Sequence, residues 1–256
     1  MVSAGAAVRL TGVGHRFGDL EVLQDIDLQV PAGRSLGVIG PSGCGKSTLL
    51  SFVSGLDDPA VGTVTVGSQT SAAGRLSHCA LMPQRDLLLP WLTAVDNAAL
   101  ALTNRGLSRA AARAEVTPLF ERFGLAGFEL RRPAELSGGM RQRVAFLRTL
   151  AAAKDVLLLD EPFGGLDAIT RGGMQDWLRG VLRAEPRTTL LVTHDVEEAL
   201  LLCDQVVVLS GRPARVLRTV PVEYTAGTTR EDTLADPAFV ALRTEILRLL
   251  ANGHRR

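Results

Sequence analysis

The stretch that decides the fold reads Ser35-Leu36-Gly37-Val38-Ile39-Gly40-Pro41-Ser42-Gly43-Cys44-Gly45-Lys46-Ser47-Thr48. It begins with an apolar segment typical of a buried strand and continues into a loop that fits the pattern G-x-x-x-x-G-K-[ST]. Glycines let the backbone turn tightly, so that its N–H groups point at phosphate oxygens. Residues 47–55 carry apolar side chains at helical spacing, and the helix that they predict would direct its positive end at the same place. The sequence therefore predicts a phosphate-binding loop between a strand and a helix.

Each part of this loop has an expected role. We expect Lys46 to neutralise phosphate charge and the Ser47 hydroxyl to ligate Mg²⁺. We expect the remaining members to surround the phosphates: Gly40, Pro41, Ser42, Gly43, Cys44, Gly45 and Thr48. Nothing in the sequence marks the Cys44 thiol as activated, so we interpret it as a small loop residue.

A second candidate site follows a run of four apolar residues at 156–159. Asp160 and Glu161 come directly after this predicted strand. Asp160 at the strand end suits Mg²⁺, and Glu161 could polarise an attacking water as a general base. A solvated acidic turn is the alternative for such a pair alone, and the phosphate-binding loop upstream favours the metal and base roles.

The composition excludes several classes of protein. The 256 residues are 46% hydrophobic and 21% charged, which is typical of a globular chain, and the formal net charge of +1 disfavours a nucleic-acid surface. No apolar run approaches the roughly 18 residues of a membrane span, and the N-terminus lacks the pattern of a signal peptide. The three cysteines are widely spaced, which argues against disulfides and against a zinc site. These observations predict a cytoplasmic protein.

The order of predicted elements indicates an α/β fold. Residues 8–30 have the pattern of short β segments, and the region from about 92 to 148 is mostly helical. Strands and helices then alternate, which indicates a largely parallel sheet covered on both faces. The predicted strands are 35–39, 61–66, 156–159, 188–192, 205–209 and 215–222, and the predicted helices include 108–123, 170–182, 196–202 and 237–250.

A third motif lies between the first two. Residues Leu136-Ser137-Gly138-Gly139-Met140-Arg141-Gln142-Arg143 resemble the signature motif of ATP-binding cassette (ABC) proteins, and their place in the chain follows that family's order. The resemblance covers about residues 8–209. It implies an ABC ATPase domain at 8–209, with a P-loop core, a mainly parallel sheet, an antiparallel β subdomain and a helical subdomain inserted at about 92–148. Residues 210–256 would form a short C-terminal extension.

The same resemblance assigns roles residue by residue. A Ser-Gly-Gly segment that opens a helix is an anion site, and in the family it contacts ATP held by the other subunit, which implies a head-to-tail pair. Phe17 matches an aromatic residue that stacks on adenine, Gln84 a glutamine that contacts Mg²⁺ and water, and His194 a histidine that contacts the γ-phosphate. Asp167 matches a loop that crosses the dimer interface. An ordinary role remains open as the alternative for each of these residues. Phe17 would be a packing aromatic and Gln84 a surface amide. His194 would be a structural histidine and Asp167 a helix cap.

Two departures narrow the resemblance. Met140 replaces the usual glutamine of the signature, and Gly165 stands where alanine is frequent. The chain resembles importer ATPases for nitrate, sulfonate, taurine or thiamine precursors. The residues that carry this resemblance are Met140 and the stretch Leu89-Pro90-Trp91-Leu92-Thr93. The 87–92 segment would contact a helix of a membrane partner if exposed, and a buried loop is the alternative.

The resulting expectation is an ATP- and Mg²⁺-dependent subunit of a membrane importer. It would pair with itself or with a second ABC subunit, bind transmembrane permease subunits at the cytoplasmic face of the membrane, and serve a system with a substrate-binding protein. An exporter ATPase stays open as an alternative. A soluble ABC ATPase acting on nucleic acid is less favoured, because the segment between Gln84 and Leu136 is too short for a long coiled coil.

Overall fold

Helix α1 (Lys46–Ser54) lies between two β-sheets in the computed structural model, which describes residues 5–184, 187–223 and 229–253. Leu49, Phe52 and Val53 on this helix are fully buried. They pack in one hydrophobic cluster with apolar residues from both sheets. The helix that follows the phosphate-binding loop is therefore part of the core, and its first turn is fixed in position.

The larger sheet has the strand order β5-β6-β7-β3-β8-β9. Its strands are β3 (Ser35–Ile39), β5 (Cys79–Met82), β6 (Val156–Asp160), β7 (Thr188–Thr193), β8 (Gln205–Leu209) and β9 (Val216–Pro221). The first five run parallel, and β9 pairs antiparallel with β8. This arrangement confirms the predicted parallel core. The register places Ile39 beside Thr193, and Asp160 beside Val192, so the residues after β3, β6 and β7 emerge at one edge.

The smaller sheet is antiparallel, in the order β2-β1-β4. Its strands are β1 (Val8–Phe17), β2 (Leu20–Val30) and β4 (Val61–Val66). Alternate residues of β1 and β2 face the core, as the sequence pattern predicts for half-buried strands. Strand β1 ends at Phe17, which lies near the phosphate-binding loop.

The region between β5 and β6 is helical, as predicted. It contains α3 (Ala94–Ala98), α4 (Leu100–Asn104), α5 (Arg109–Arg122) and α6 (Gly138–Ala151). Ser108 caps α5 by accepting a hydrogen bond from the Ala111 N–H, and Val116 and Phe120 are buried, which confirms the predicted cap and apolar face.

Several elements differ from the sequence-based expectations. Helix α2 (Ala72–His78) and strand β5 were not predicted, because both are short and lack a clear period. Helix α9 (Arg230–Ala235) was missed for the same reason, whereas α7 (Ala168–Ala184), α8 (Val196–Leu202) and α10 (Pro237–Gly253) were expected. The separation of 8–209 from 210–256 as two units stays a prediction. Within the described part of the chain, no helix is both long and apolar enough to cross a bilayer.

The apolar residues of α10 divide between an exposed and a buried side of the helix. Val240 and Leu247 are exposed, at 38% and 50%. Phe239 and Ile246 are instead fully buried and pack on the main core. Phe239 and Ile246 are seven residues apart, which places them on one side of a helix, whereas Val240 and Leu247 lie on the adjacent side.

A charged cluster ties two helices of the helical region together. The Asp96 carboxylate on α3 accepts two hydrogen bonds each from Arg109 and Arg113 on α5, and one from the Thr93 hydroxyl. Asp96 is buried, and the hydrogen bonds from the two guanidinium groups hold the pKa of its carboxyl well below its usual range.

We therefore expect Asp96→Asn to lower the free energy of unfolding by about 1–2 kcal/mol at pH 7. A depressed pKa stabilises the folded state above the unfolded-state pKa of roughly 4, and this contribution is lost as the pH falls further. Urea unfolding of wild type and variant between pH 7 and pH 3 measures the difference in their free energies of unfolding. The difference should be constant to about pH 4 and shrink below it. A difference that stays constant down to pH 3 would contradict the ionic origin.

Candidate functional site

The loop after β3 and the residues after β5 and β6 meet around one open cavity of about 390 Å³. Parallel strands place their carboxyl ends at the same edge, which is where ligands bind in open α/β sheets. The described residues that line the cavity are Phe17, Leu20, Val22, Ser42, Gly43, Gly45, Lys46, Ser47, Thr48, Gln84, Glu161 and Arg212.

Lys46 lies at the base of the phosphate-binding loop. Its side chain is buried, and its ammonium donates hydrogen bonds to the carbonyls of Gly40 at 2.8 Å and Pro41 at 2.9 Å. An ammonium has three donors, so one remains for a ligand in the cavity. Gly45 has a φ of 115°, and a Cβ there would lie 2.7 Å from Val22, so only glycine fits this position.

The Ser47 hydroxyl and the Asp160 carboxylate form a hydrogen bond with each other. Burial raises the pKa of Asp160, and the neighbouring Glu161 raises it further, whereas the hydrogen bond with Ser47 and the charge of Lys46 lower it. A hydroxyl and a carboxylate oxygen are the hard donors that Mg²⁺ prefers, and a bound cation would offset the cost of the buried charge. The two residues therefore fit the predicted Mg²⁺ site.

Gln84 and Glu161 line the cavity, and His194 lies next to Glu161. The Gln84 amide donates to Glu161 Oε2 at 2.9 Å, and His194 Nδ1 lies 3.4 Å from Glu161 Oε1. Glu161 has a φ of 48°, a left-handed conformation that is rare for a residue with a side chain. Its N–H donates to the Val192 carbonyl at 2.8 Å, which holds the turn in place. The resemblance to ABC proteins assigns roles to Gln84 and His194, and the predicted strand end assigns one to Glu161. The structure brings the three residues together.

Phe17 is half exposed at the cavity mouth. The ring of His15 lies between it and the buried Phe52, with centroid distances of 4.5 and 4.9 Å. Phe17 thus presents a supported aromatic surface to the cavity. His15 was not singled out from the sequence, because a lone histidine in a strand carries no motif.

The cysteines have the character of packing residues. Burial raises the pKa of Cys44, raises that of Cys79 to about 12, and raises that of Cys203 as well. Their thiols are therefore protonated at neutral pH, which agrees with the interpretation of Cys44 as a small loop residue.

The signature residues lie outside this cavity. Ser137 is exposed and caps α6 by accepting from the Met140 N–H, and Gly138 is open to solvent. A Cβ on Gly139 would contact Leu166 at 3.2 Å. Asp167 is also outside the cavity: it accepts from the Thr170 N–H at 3.0 Å in the first turn of α7, as expected for a helix cap.

Three contacts that the sequence did not reveal connect α6 to the edge of the sheet where Gln84 and Glu161 lie. The buried amide of Gln142 donates to the Pro162 carbonyl directly after Glu161. Arg141 forms an ion pair with Asp86, and Arg148 donates to the Asp86 carbonyl. Asp86 is two residues from Gln84, so α6 is anchored beside both sides of the Gln84–Glu161 pair. These partners are distant in sequence and leave no local pattern.

The segment 87–92 is neither wholly exposed nor wholly buried. Leu87 and Trp91 are 55% and 67% exposed, whereas Leu88 is buried. Asn97, itself fully buried, fixes the segment: its Oδ1 accepts from the Leu89 N–H, and its Nδ2 donates to three carbonyls of residues 89–93. The segment is therefore a firmly held loop that presents two apolar side chains to solvent.

A family model described as "ABC transporter" matches residues 23–164, more than half of the chain. The chain belongs to the ABC transporter family. An ATPase of this family binds and hydrolyses ATP, and the cavity geometry agrees with that activity. The ABC ATPase fold predicted from the sequence is thereby confirmed.

The chain is also similar to individual relatives and to a solved structure. The aliphatic sulfonates import ATP-binding protein SsuB 1 of Rhodococcus jostii is 51% identical over 79% of this chain and 79% of that protein. The taurine import ATP-binding protein TauB of Pseudomonas aeruginosa is 43% identical over 88% of this chain and 87% of that protein. The dimeric post-hydrolysis structure of the ATP-binding cassette MJ0796, bound to ADP and Pi, has a TM-score of 0.77 at 26% identity. The match between the two covers 85% of this chain and 100% of that chain.

We expect Glu161→Gln to retain ATP binding and to lose about 10²- to 10⁴-fold in turnover, because the amide cannot accept a proton from water. Phosphate release and ATP affinity measure the two effects. Glu121→Gln, on the exposed face of α5, is the matched control and should leave both unchanged. Near wild-type hydrolysis by Glu161→Gln would rule out the general-base role.

Proposed function

We propose that the chain is the ATP-hydrolysing subunit of an importer for organosulfonates such as taurine. The observation that carries this is that Lys46, Ser47, Gln84 and Glu161 line one cavity, with Asp160 next to Ser47 and His194 next to Glu161. The substrate class is supported by the names of the relatives, which import aliphatic sulfonates and taurine.

In this proposal the phosphate-binding loop holds ATP in one orientation. The N–H groups of residues 42–48 and the remaining donor of Lys46 bind the phosphates, and Phe17 supports the adenine ring. Ser47 and Asp160, with Gln84, would hold Mg²⁺, which neutralises charge on the β- and γ-phosphates when bound. Positioning and charge neutralisation supply most of the catalysis in reactions of this kind.

Hydrolysis then depends on the carboxylate of Glu161. Glu161 accepts a proton from water as the water oxygen bonds to the γ-phosphorus, and the bond from that phosphorus to the β–γ bridging oxygen breaks. Gln84 orients the carboxylate through its hydrogen bond, and His194 stabilises the γ-phosphate. The proton passes from Glu161 to the released phosphate, which restores the carboxylate.

Ser137, Gly138, Gly139 and Asp167 act in a partner's site rather than in their own. Their position outside the cavity and the exposure of the α6 N-terminus support this assignment. An anion is favoured at such a helix end. Two cassettes in a head-to-tail pair would each complete the other's ATP site, and ATP would hold the pair closed until hydrolysis.

Mixing two inactive variants tests this shared site. Lys46→Ala disables the phosphate-binding loop, and Ser137→Arg blocks the signature while leaving ATP binding by its own loop intact. A mixed dimer has one doubly altered site and one intact site. Random pairing should therefore restore about a quarter of wild-type ATPase activity. No restoration, with Ser137→Arg still binding ATP, would contradict the head-to-tail arrangement.

The exposed side chains of the 87–92 loop are the proposed contact with the permease. The loop presents Leu87 and Trp91 only a few residues from Gln84, and Asn97 fixes its shape. A helix of a transmembrane subunit would bury these apolar surfaces. Docking of this kind would place the chain at the cytoplasmic face of the membrane, in a system that also uses a substrate-binding protein.

We expect Trp91→Ala to reduce co-purification with the permease from native membranes, because truncation of a central exposed aromatic typically costs an interface 2 kcal/mol or more, roughly a 30-fold loss in affinity. ATP affinity of the isolated chain should be unchanged. Leu56→Ala is the control, since Leu56 is 62% exposed at a different surface. Unchanged recovery of the permease with Trp91→Ala would remove this hypothesis.

A further inference from the structure

The loop between β8 and β9 brings Arg212 against the phosphate-binding loop. Arg212 lines the same cavity as Lys46 and Ser47. A Cβ added to Gly43 would lie 3.2 Å from Arg212 Nη2, so the guanidinium lies directly over the backbone of that glycine. The cavity therefore contains a second cation, contributed from a part of the chain that none of the recognised motifs covers.

The backbone that carries Arg212 is held firmly. Ala214 is fully buried, its N–H donates to the Val22 carbonyl at 2.8 Å, and its own carbonyl accepts from the Gln24 N–H at 3.0 Å. The Ser210 hydroxyl donates within the loop and accepts from the Arg215 N–H at 2.9 Å. Strand β2, which supplies Val22 to the cavity, thus fixes the position of the loop.

The charge of Arg212 has no internal counter-ion in the part of the chain that the structure describes: no carboxylate lies within ion-pair distance, and no hydrogen bond from its guanidinium is formed. Its neighbour Arg215 differs, since its Nε donates to Gln24 at 3.1 Å. Two cations, Arg212 and Lys46, therefore face one cavity. An anion that bridges both would relieve their repulsion, and the planar fork of arginine suits phosphate oxygens.

We propose that Arg212 is a further nucleotide-binding residue, whose guanidinium donates hydrogen bonds to the phosphates of ATP and ADP above Gly43. This inference rests on the proposed placement of the phosphates along residues 42–48. The apolar surface needed for the adenine ring is already provided by Phe17, Leu20 and Val22. Arg212 would raise affinity for both ATP and ADP, and it has no part in the proton transfer at Glu161.

Calorimetric titration of the full chain with ATP and with ADP, in 50 mM and 300 mM NaCl, tests the proposal. We expect Arg212→Ala to weaken both affinities about tenfold at low salt, a typical loss for one charged hydrogen bond. The loss should shrink at high salt, because the guanidinium is exposed and screened. Arg212→Lys should recover part of the affinity. Arg215→Ala is the matched control in the same loop and should stay within twofold of wild type.

The outcomes separate this inference from the proposed site as a whole. Lys46→Ala is titrated in parallel. If it loses ATP binding while Arg212→Ala matches wild type, the phosphate site stands and the role of Arg212 is overturned. If neither variant is affected, the placement of the phosphates is wrong and both proposals fail. A loss that is independent of salt, or that Arg215→Ala shares, would show an effect on loop packing and would also overturn the contact.

Discussion

The burial of helix α1 between the two sheets is the constraint on which the rest of the site depends. Leu49, Phe52 and Val53 anchor the helix in the core, so its N-terminus cannot move relative to the end of β3. The intervening loop has to turn back on itself, and Lys46 ties it closed through the carbonyls of Gly40 and Pro41. The loop therefore presents a preorganised array of N–H groups to the cavity.

The second half of the site depends on strand register. Because β6 pairs with β7 and β7 with β3, Asp160 reaches Ser47, and Glu161 lies beside His194. Gln84 comes from the end of β5, the neighbouring edge strand, and joins Glu161 through one hydrogen bond. The contacts of α6 with Asp86 and Pro162 connect the helical region to the residues next to Gln84 and Glu161.

The sequence predicts the parts of this structure that have a local period or a motif. The parallel strands, the helix after the loop, the cap at Ser108 and Glu161 after its strand fall in this class. Gln84 and His194 were expected only from the resemblance to ABC proteins. Contacts made by distant, unpatterned residues do not: Arg212 lies far along the chain from Gly43, and His15 supports Phe17 only through packing. The exposed Val240 shows a further limit, because apolar residues on a helix do not by themselves show which side meets the core.

The left-handed backbone at Glu161 has a consequence for evolution of the chain. A non-glycine residue in that conformation stores of the order of 1 kcal/mol of strain, which glycine would relieve. Selection for thermostability alone would therefore favour a change that removes the carboxylate proposed to activate water. Stability and activity oppose each other at this single position, so stabilised versions of the protein have to gain their stability elsewhere.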